Sequence, residues 1–104
     1  MVMKRRKVVF SLKFKDSFQQ YILYVKNNSS PEMAKHVKNG ILETCRGLAD
    51  FSGYSKELFI IDKSTEYRSV TKWNYLIIYK IKDDEIWILN IIHTSRNPAQ
   101  RNDI

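Results

Sequence analysis

Cysteine is almost absent from this chain of 104 residues, and its single copy, Cys45, cannot form an internal disulfide. Chains without disulfides are typical of reducing compartments, so we expect a cytoplasmic protein. One cysteine and two histidines far apart in sequence, His36 and His93, do not give the spacing of a metal site, and none is expected. The three glycines are scattered, which excludes a glycine-rich phosphate loop, and no cofactor is expected.

Long apolar runs are also missing. Lys80, Lys82 and Asn90 interrupt the most hydrophobic region before it reaches the roughly 18 residues of a membrane-spanning helix. The start, MVMKRRKVVF, contains a basic run but no apolar segment of signal-peptide length. We therefore expect a soluble protein without a membrane role. Its length suits one domain over residues 1–104, and no repeat or low-complexity tract divides it.

Positive charge, in contrast, is abundant and unevenly distributed. The formal net charge is +7, and residues 1–15 hold six basic side chains and no acidic ones. The remaining 12 basic and 11 acidic residues nearly cancel. Such a local excess indicates an anionic partner, either nucleic acid or an acidic protein segment, unless it is simply a solvated chain end.

Two periodic segments open the chain. In VVFSLKF, residues 8–14, apolar side chains alternate with others, which predicts a β-strand. The period then becomes helical, with Asp16 as the expected N-cap and NNSSP, residues 27–31, as the break. The apolar stripe of this helix is Phe18, Tyr21, Ile22 and Val25.

A second helix has stronger start signals. Ser30 can cap it, Pro31 suits its first position, and Glu32 favours the positive end of the helix dipole. Its apolar stripe is Met33, Val37, Ile41, Cys45 and Leu48. Because the break between the helices is short, we expect an antiparallel hairpin that packs on a sheet. Cys45 should then be a buried core thiol, and His36, which lies off the stripe, should be exposed.

After a loop-like region at residues 47–56, the chain resembles a series of strands. ELFII, residues 57–61, and EYRSV, residues 66–70, could each form a short one. The clearest pattern is residues 73–93, where two β-branched and aromatic runs flank Asp83-Asp84, as in a β-hairpin. The expected cross-strand pairs are Lys82 with Glu85, Lys80 with Trp87, Ile78 with Leu89, Leu76 with Ile91, and Asn74 with His93.

Both faces of this hairpin are largely apolar, because the alternate set also consists mainly of large apolar side chains. That set is Tyr75, Ile77, Tyr79 and Ile81 against Ile86, Ile88, Asn90 and Ile92. We therefore expect the hairpin to be central, with helices on one side and a partner on the other. The order of elements predicts an α+β domain: an N-terminal strand, an α-helical hairpin, then an antiparallel β-meander packed on the helices.

This order, together with the segment at residues 67–98, resembles the RelE/ParE superfamily of toxins from bacterial type II toxin–antitoxin systems of the plasmid-stabilisation type. The segment at residues 30–51 also resembles that family's second helix and the loop after it. The matching positions are Arg68, the run Tyr75–Tyr79, the turn Asp83-Asp84, the strand Ile86–Ile92, and then His93 and Arg96.

The resemblance implies one of two mechanisms. RelE-like members are ribosome-dependent endoribonucleases that use basic residues and a terminal-region Tyr or His on mRNA. ParE-like members poison DNA gyrase and have no accepted catalytic constellation. Both are held inactive by a cognate antitoxin whose C-terminal segment folds over the toxin, and such segments are often acidic.

Two expected ribonuclease residues are missing here. Leu76 occupies the third-strand position where RelE-like enzymes often place an arginine, and the tail after Arg96 has no tyrosine. His93 could still act as base or acid, with Arg96 stabilising the phosphate charge. The side chains that could complete such a site are Lys72, Lys80 and Glu66. The alternative is that His93 is a strand-end residue whose ring packs at the sheet edge.

The resemblance therefore favours a gyrase-directed toxin, with a ribosome-dependent endoribonuclease as the alternative and a non-toxic binding module as a further one. The partner-binding candidates are Arg68, Lys72, Lys80, Trp87, Arg96 and Arg101. Arg68 and Arg96 could equally well form ordinary surface ion pairs instead of binding a partner. A gyrase-directed toxin would use a protein surface, for which the helical hairpin and the C-terminal tail are the candidates.

Overall fold

The computed structural model describes residues 6–49, 67–82 and 85–95. The elements in this part of the chain are β1 (Lys7–Phe10), α1 (Leu12–Asn28), α2 (Pro31–Gly47), β2 (Tyr67–Lys72), β3 (Tyr75–Lys82) and β4 (Glu85–His93). They form a four-stranded sheet in the order β1-β4-β3-β2. β1 is parallel to β4, and the other pairs are antiparallel. The predicted α+β fold is thus confirmed, while the suggested strand at 57–61 and the Asp83-Asp84 loop lie outside the described residues.

The predicted strand at residues 8–14 is too long, because a helix cap interrupts it. β1 ends at Phe10, and Ser11 Oγ accepts a hydrogen bond from the Phe14 backbone N–H at 3.0 Å. This N-cap starts α1 at Leu12 and leaves Asp16 inside the helix, so the predicted cap was wrong. The apolar residues that seemed to continue the strand then separate, with Phe14 buried and Leu12 78% exposed.

The start of α2 is confirmed in detail. Ser30 Oγ accepts a hydrogen bond from the Met33 backbone N–H at 3.0 Å, and Pro31 occupies the first turn. The stripe differs at one position, since Met33 is 46% exposed and Ala34 is buried instead. Position 34 lies two helical turns before Ile41, so it fits the 3.6-residue period better than position 33 does.

The β3–β4 register follows the prediction only near the turn. Lys82 pairs with Glu85 and Lys80 with Trp87, but Ile78 pairs with Asn90. Leu89 is the extra residue of a β-bulge, which shifts every later pair by one position. The observed later pairs are Ile77 with Ile91, Leu76 with Ile92, and Tyr75 with His93, in place of the predicted Leu76 with Ile91 and Asn74 with His93.

After the bulge, each side chain of β4 lies on the sheet face opposite to the one predicted. Without it, Asn90 would share a face with Ile88 and Tyr79, in the core beneath the helices. With it, Asn90 shares the opposite face with Ile78, and Ile91 takes its place in the core. Asn90 is nevertheless buried, and its side-chain Oδ1 accepts the Ile91 backbone N–H at 2.9 Å.

The helices and one sheet face enclose the main core. Its fully buried members include Phe14, Ile41, Cys45, Leu48, Ile77, Tyr79, Ile86, Ile88 and Ile91. On the other face Leu76, Ile78 and Ile92 form a second cluster, and each is at most 2% exposed. The expectation that this face is open to a partner is therefore wrong for these three positions.

The β2–β3 connection is fitted against α2. Trp73 has a positive φ of 54°, which is uncommon for a residue other than glycine. Its indole lies over Gly40, where an added Cβ would be 2.3 Å from the ring. The His36 ring centroid is 5.2 Å from that of Trp73, and Lys72 Nζ is 4.6 Å from the Trp73 ring centroid. His36 is exposed on α2, as predicted, but it contacts this turn.

We predict that Ser11→Ala destabilises the fold more than Ser30→Ala does. Both changes remove an N-cap worth about 1 kcal/mol. Ser11 Oγ also donates to the Leu89 carbonyl at 2.7 Å, so its loss removes a second hydrogen bond at a further cost of about 0.5–1.5 kcal/mol. Urea unfolding followed by circular dichroism would measure both variants, and equal losses would contradict the role of Ser11 at the bulge.

We also predict that Gly40→Ala displaces Trp73, because the new methyl group occupies the position of the ring. In a Trp87→Phe background, Trp73 fluorescence should shift to longer wavelength as the indole moves into water. Gly47→Ala is the matched control, since among the described residues no atom beyond its chain neighbours and its own helical turn lies within 4 Å of the added Cβ. The same shift in both variants, or no shift in Gly40→Ala, would contradict the close contact between the Trp73 ring and Gly40.

Candidate functional site

The predicted strand-end site lies where β4 finishes, next to the β2–β3 turn. His93 is the last residue of β4, and its backbone N–H donates to the Tyr21 hydroxyl at 3.1 Å. The following residue, Thr94, donates to the Asn74 carbonyl from its backbone N–H at 2.8 Å and from its hydroxyl at 3.1 Å. Asn74 is therefore near the strand end, as expected, although Tyr75 is the residue that pairs with His93.

The ring of His93 packs among aromatic side chains. It meets Tyr75 edge-to-face, with centroids 5.1 Å apart at 88°, and lies 6.4 Å from the Tyr21 ring. Tyr21 and Tyr75 also contact each other at 5.6 Å. We call these three residues the strand-end cluster; they join α1 to the helix-facing side of the sheet. This geometry fits the alternative in which His93 is a strand-end packing residue.

The ribonuclease candidates in the described part of the chain are divided between the two sheet faces: Lys72 is on the same face as His93, and Lys80 is on the opposite one. Leu76, at the position where the related nucleases often have arginine, pairs with Ile92 on the sheet face away from the helices. His93 pairs with Tyr75 and belongs to the opposite face, because of the bulge at Leu89. Arg96 and Glu66 lie outside the described residues, so their positions relative to His93 stay predictions.

The four described partner-binding candidates divide into two pairs. Arg68 and Lys72 alternate with Val70 on the helix-facing side of the edge strand β2. Lys80 and Trp87 face each other on the opposite side, with Lys80 Nζ 6.0 Å from the Trp87 ring centroid. The predicted set is therefore not one surface.

The second pair has further polar contacts. The Trp87 indole N–H donates to Glu85 Oε1 at 3.2 Å. Lys80 also pairs with Tyr67 on β2, which places a lysine between two aromatic residues across three strands. Arg101, the remaining candidate, lies outside the described residues.

No other chemistry is evident in the described part of the chain. Burial raises the pKa of the Cys45 thiol to about 12, with a smaller opposing effect from Arg46, so the thiolate nucleophile is disfavoured. Among residues 6–49, 67–82 and 85–95, no group of three metal-ligating side chains occurs. None of the described helices is both long enough and apolar enough to cross a membrane.

The helical hairpin carries a groove that the sequence did not reveal. It has a volume of about 420 Å³, and its walls include Lys15, Phe18, Ile22, Leu23, Lys26 and Lys38. Phe18 and Ile22 were assigned to the core stripe of α1, yet both are only half-buried, and the adjacent Leu23 is 54% exposed. The available signal was Leu23, an apolar residue just outside that stripe, between two lysines of the same helix. We call this feature the hairpin groove.

One family model matches most of the chain. The model of the family described as ParE toxin of type II toxin-antitoxin system, parDE, matches residues 8–98. A solved structure entitled "Chromosomal ParDE TA system from P. aeruginosa" superposes with a TM-score of 0.70 over 88% of this chain and 98% of that one. At 15% sequence identity, this similarity shows the fold alone. No curated protein matches the chain. Since the family model spans most of the sequence, the chain belongs to the ParE toxin family of type II toxin–antitoxin systems.

Proposed function

We propose that this protein arrests growth by binding DNA gyrase in the cytoplasm, without cutting RNA, and that a cognate antitoxin neutralises it. The observation that carries the proposal is the separation of His93 and Leu76 onto opposite sheet faces. A ribonuclease needs its acid–base group and its phosphate-binding cations around one scissile bond. In this chain the third-strand cation is absent, and the histidine points to the other side of the sheet.

Packing of His93 supports the same proposal. Its ring lies within the strand-end cluster, and its backbone N–H is held by the Tyr21 hydroxyl. A residue that is fixed between a helix and a strand has a structural reason to be present, independent of any reaction. The target contact is then a protein surface, for which the helical hairpin with its groove is the best candidate in the described part of the chain.

One observation favours the alternative of a ribosome-dependent mRNA endoribonuclease. Lys72, Tyr75 and His93 form a single row across β2, β3 and β4, since Tyr75 pairs with both of the others. A cation, a phenol and an imidazole in one row are groups that RNA cleavage can use. If that alternative holds, the reaction takes place on the helix-facing side of the sheet.

We predict that His93→Phe keeps full toxicity when the protein is expressed without antitoxin. Phenylalanine preserves the aromatic packing against Tyr75 but cannot transfer a proton. Removing a general acid or base from a ribonuclease lowers its rate by about 100-fold or more, whereas a gyrase poison has no proton-transfer step to lose. Plating efficiency after induction would measure this, with circular dichroism to confirm folding.

Two assays identify the target directly. Purified protein should inhibit DNA supercoiling by gyrase, and primer extension on cellular mRNA should show no new cleavage ends. New ends that disappear in His93→Phe would establish the nuclease instead. A wild-type chain that neither arrests growth nor inhibits gyrase would leave the non-toxic binding module as the function.

A further inference from the structure

Trp73, in the β2–β3 turn, combines a strained backbone with an exposed side chain. Because Lys72 pairs with Tyr75, only Trp73 and Asn74 connect the two strands. Connections of this length need a positive φ, which glycine, asparagine or aspartate usually supplies. Tryptophan adopts a φ of 54° here, at an energetic cost, yet its side chain is 46% exposed. Burial alone does not explain a tryptophan at this position, and strained residues of this kind concentrate at functional sites.

Three neighbours hold the Trp73 ring in one orientation. The end of its six-membered ring lies against Gly40, where a Cβ would overlap it. Lys72 Nζ is 4.6 Å from the ring centroid, and the centroid of the His36 ring is 5.2 Å away. A side chain that is fixed before binding loses little conformational entropy when a partner covers it. The indole is therefore pre-organised, although nearly half of it remains in contact with water.

The polar groups of this turn define the chemistry of a partner. Among the described residues, no acceptor is hydrogen-bonded to the Trp73 indole N–H, whereas the Trp87 indole N–H donates to Glu85. An indole N–H that becomes buried needs an acceptor. The Lys72 ammonium beside the ring favours a carboxylate in that role, because charge-assisted hydrogen bonds are the stronger ones. The turn therefore fits a pocket that has apolar walls and a carboxylate.

A protein pocket matches this geometry better than a nucleobase does. Bases stack on an open aromatic face, but Lys72 and His36 lie against this ring and Gly40 lies at its end. A side chain at a two-residue turn can enter a pocket instead, and tryptophan is enriched among the residues that anchor protein interfaces. The turn also contacts α2, so it extends the helical hairpin, the surface named above as the best candidate for the target contact.

We propose that Trp73 is an anchor through which this chain binds a carboxylate-containing pocket of its target protein. Gly40 and Lys72 are positioning residues for this anchor. The missing Cβ of Gly40 leaves room for the ring, and the Lys72 ammonium meets the carboxylate of the pocket. Identifying the target as DNA gyrase rests on the proposed function; the chemistry of the pocket does not.

The first test separates binding from folding. Trp73→Gly removes the indole but also relieves the positive φ, so the turn should still form. Its circular dichroism should match that of the wild-type chain. Its affinity for purified DNA gyrase, from surface plasmon resonance, should fall by at least about 30-fold, as expected for an anchor residue. Leu12→Ala is the control, because it removes another exposed apolar side chain, on α1, and should bind normally. Equal affinity of Trp73→Gly and wild type would refute the proposal.

A second test keeps the tryptophan and changes only its orientation. Gly40→Ala should weaken gyrase binding by about 10-fold or more, because the added methyl group takes the place of the ring. Gly47→Ala makes the same change at the end of α2, outside contact with the turn, and should bind as the wild type does. Equal binding of the two alanine variants would contradict a pre-organised anchor.

A charge reversal tests the carboxylate of the pocket. Lys72→Glu should weaken binding by about 10-fold or more, and Lys72→Arg should restore most of it, because arginine keeps the positive charge. Lys7→Glu has the same net charge as Lys72→Glu but lies on β1, at the opposite edge of the sheet. An equal loss in Lys7→Glu and Lys72→Glu would mean that overall charge attracts the target, and would overturn the proposal.

Other outcomes distinguish this inference from the proposed function. If Trp73→Gly loses binding to relaxed plasmid DNA but not to gyrase, the turn is a nucleic-acid site and the proposal is wrong. Self-association that Trp73→Gly abolishes, with gyrase binding unchanged, would identify a second copy of the chain and overturn it as well. If the wild-type chain does not bind gyrase, the proposed function fails, and growth arrest then decides about the anchor: Trp73→Gly must abolish it and Leu12→Ala must retain it. A wild-type chain without growth arrest would overturn both.

Discussion

Ser11 makes the contacts on which the rest of the arrangement depends. Its backbone N–H donates to the Ile88 carbonyl at 2.9 Å, and its hydroxyl donates to the Leu89 carbonyl at 2.7 Å. The same hydroxyl oxygen accepts the Phe14 amide and so starts α1. One residue therefore ends β1, begins the helix and pairs with the strand at its bulge. The direction in which α1 leaves the sheet, and the place where β4 changes register, are fixed by the same side chain.

The bulge in turn decides on which sheet face the last side chains of β4 lie. An uninterrupted hairpin would put His93 on the face of Leu76, and Asn90 on the face that packs beneath the helices. The extra residue Leu89 reverses both assignments, so Ile91 completes the core and His93 turns toward Tyr75 and Tyr21. A change of one residue in register thus moves the histidine from the face of Leu76 to the helix-facing side. The position of His93 on the helix-facing side and the completion of the apolar core by Ile91 have the same physical cause.

This dependence explains which features could be predicted from the sequence. The start of α2 was predictable because Ser30, Pro31 and Glu32 act within one helical turn of each other. The pairs Lys82–Glu85 and Lys80–Trp87 were predictable because a short turn fixes the register close to it. The register beyond Ile78 was not, since the bulge is stabilised by Ser11, which is 78 residues away from Leu89 in the chain. The alternation of side chains within one strand gives no information about a partner so far away in the chain.

The candidate site was harder to predict for a related reason. Lys72 was expected to bind a partner, but the contact of its Nζ with the Trp73 ring depends on a turn with a positive φ and on the missing Cβ of Gly40. Neither feature has a sequence signal of its own, because a tryptophan in that conformation is uncommon. The hairpin groove likewise requires two helices to meet, and each helix alone shows only a stripe with a lysine beside it.

The distribution of exposed apolar surface finally indicates where a partner can gain binding energy. The sheet face away from the helices has buried residues at Leu76, Ile78 and Ile92, so a partner would gain little there. On the hairpin, Leu23 and Tyr24 are each about half exposed, and the adjacent groove is lined with cations. Burial of apolar area drives association and charge selects among partners. In this molecule both are found together on the helical hairpin.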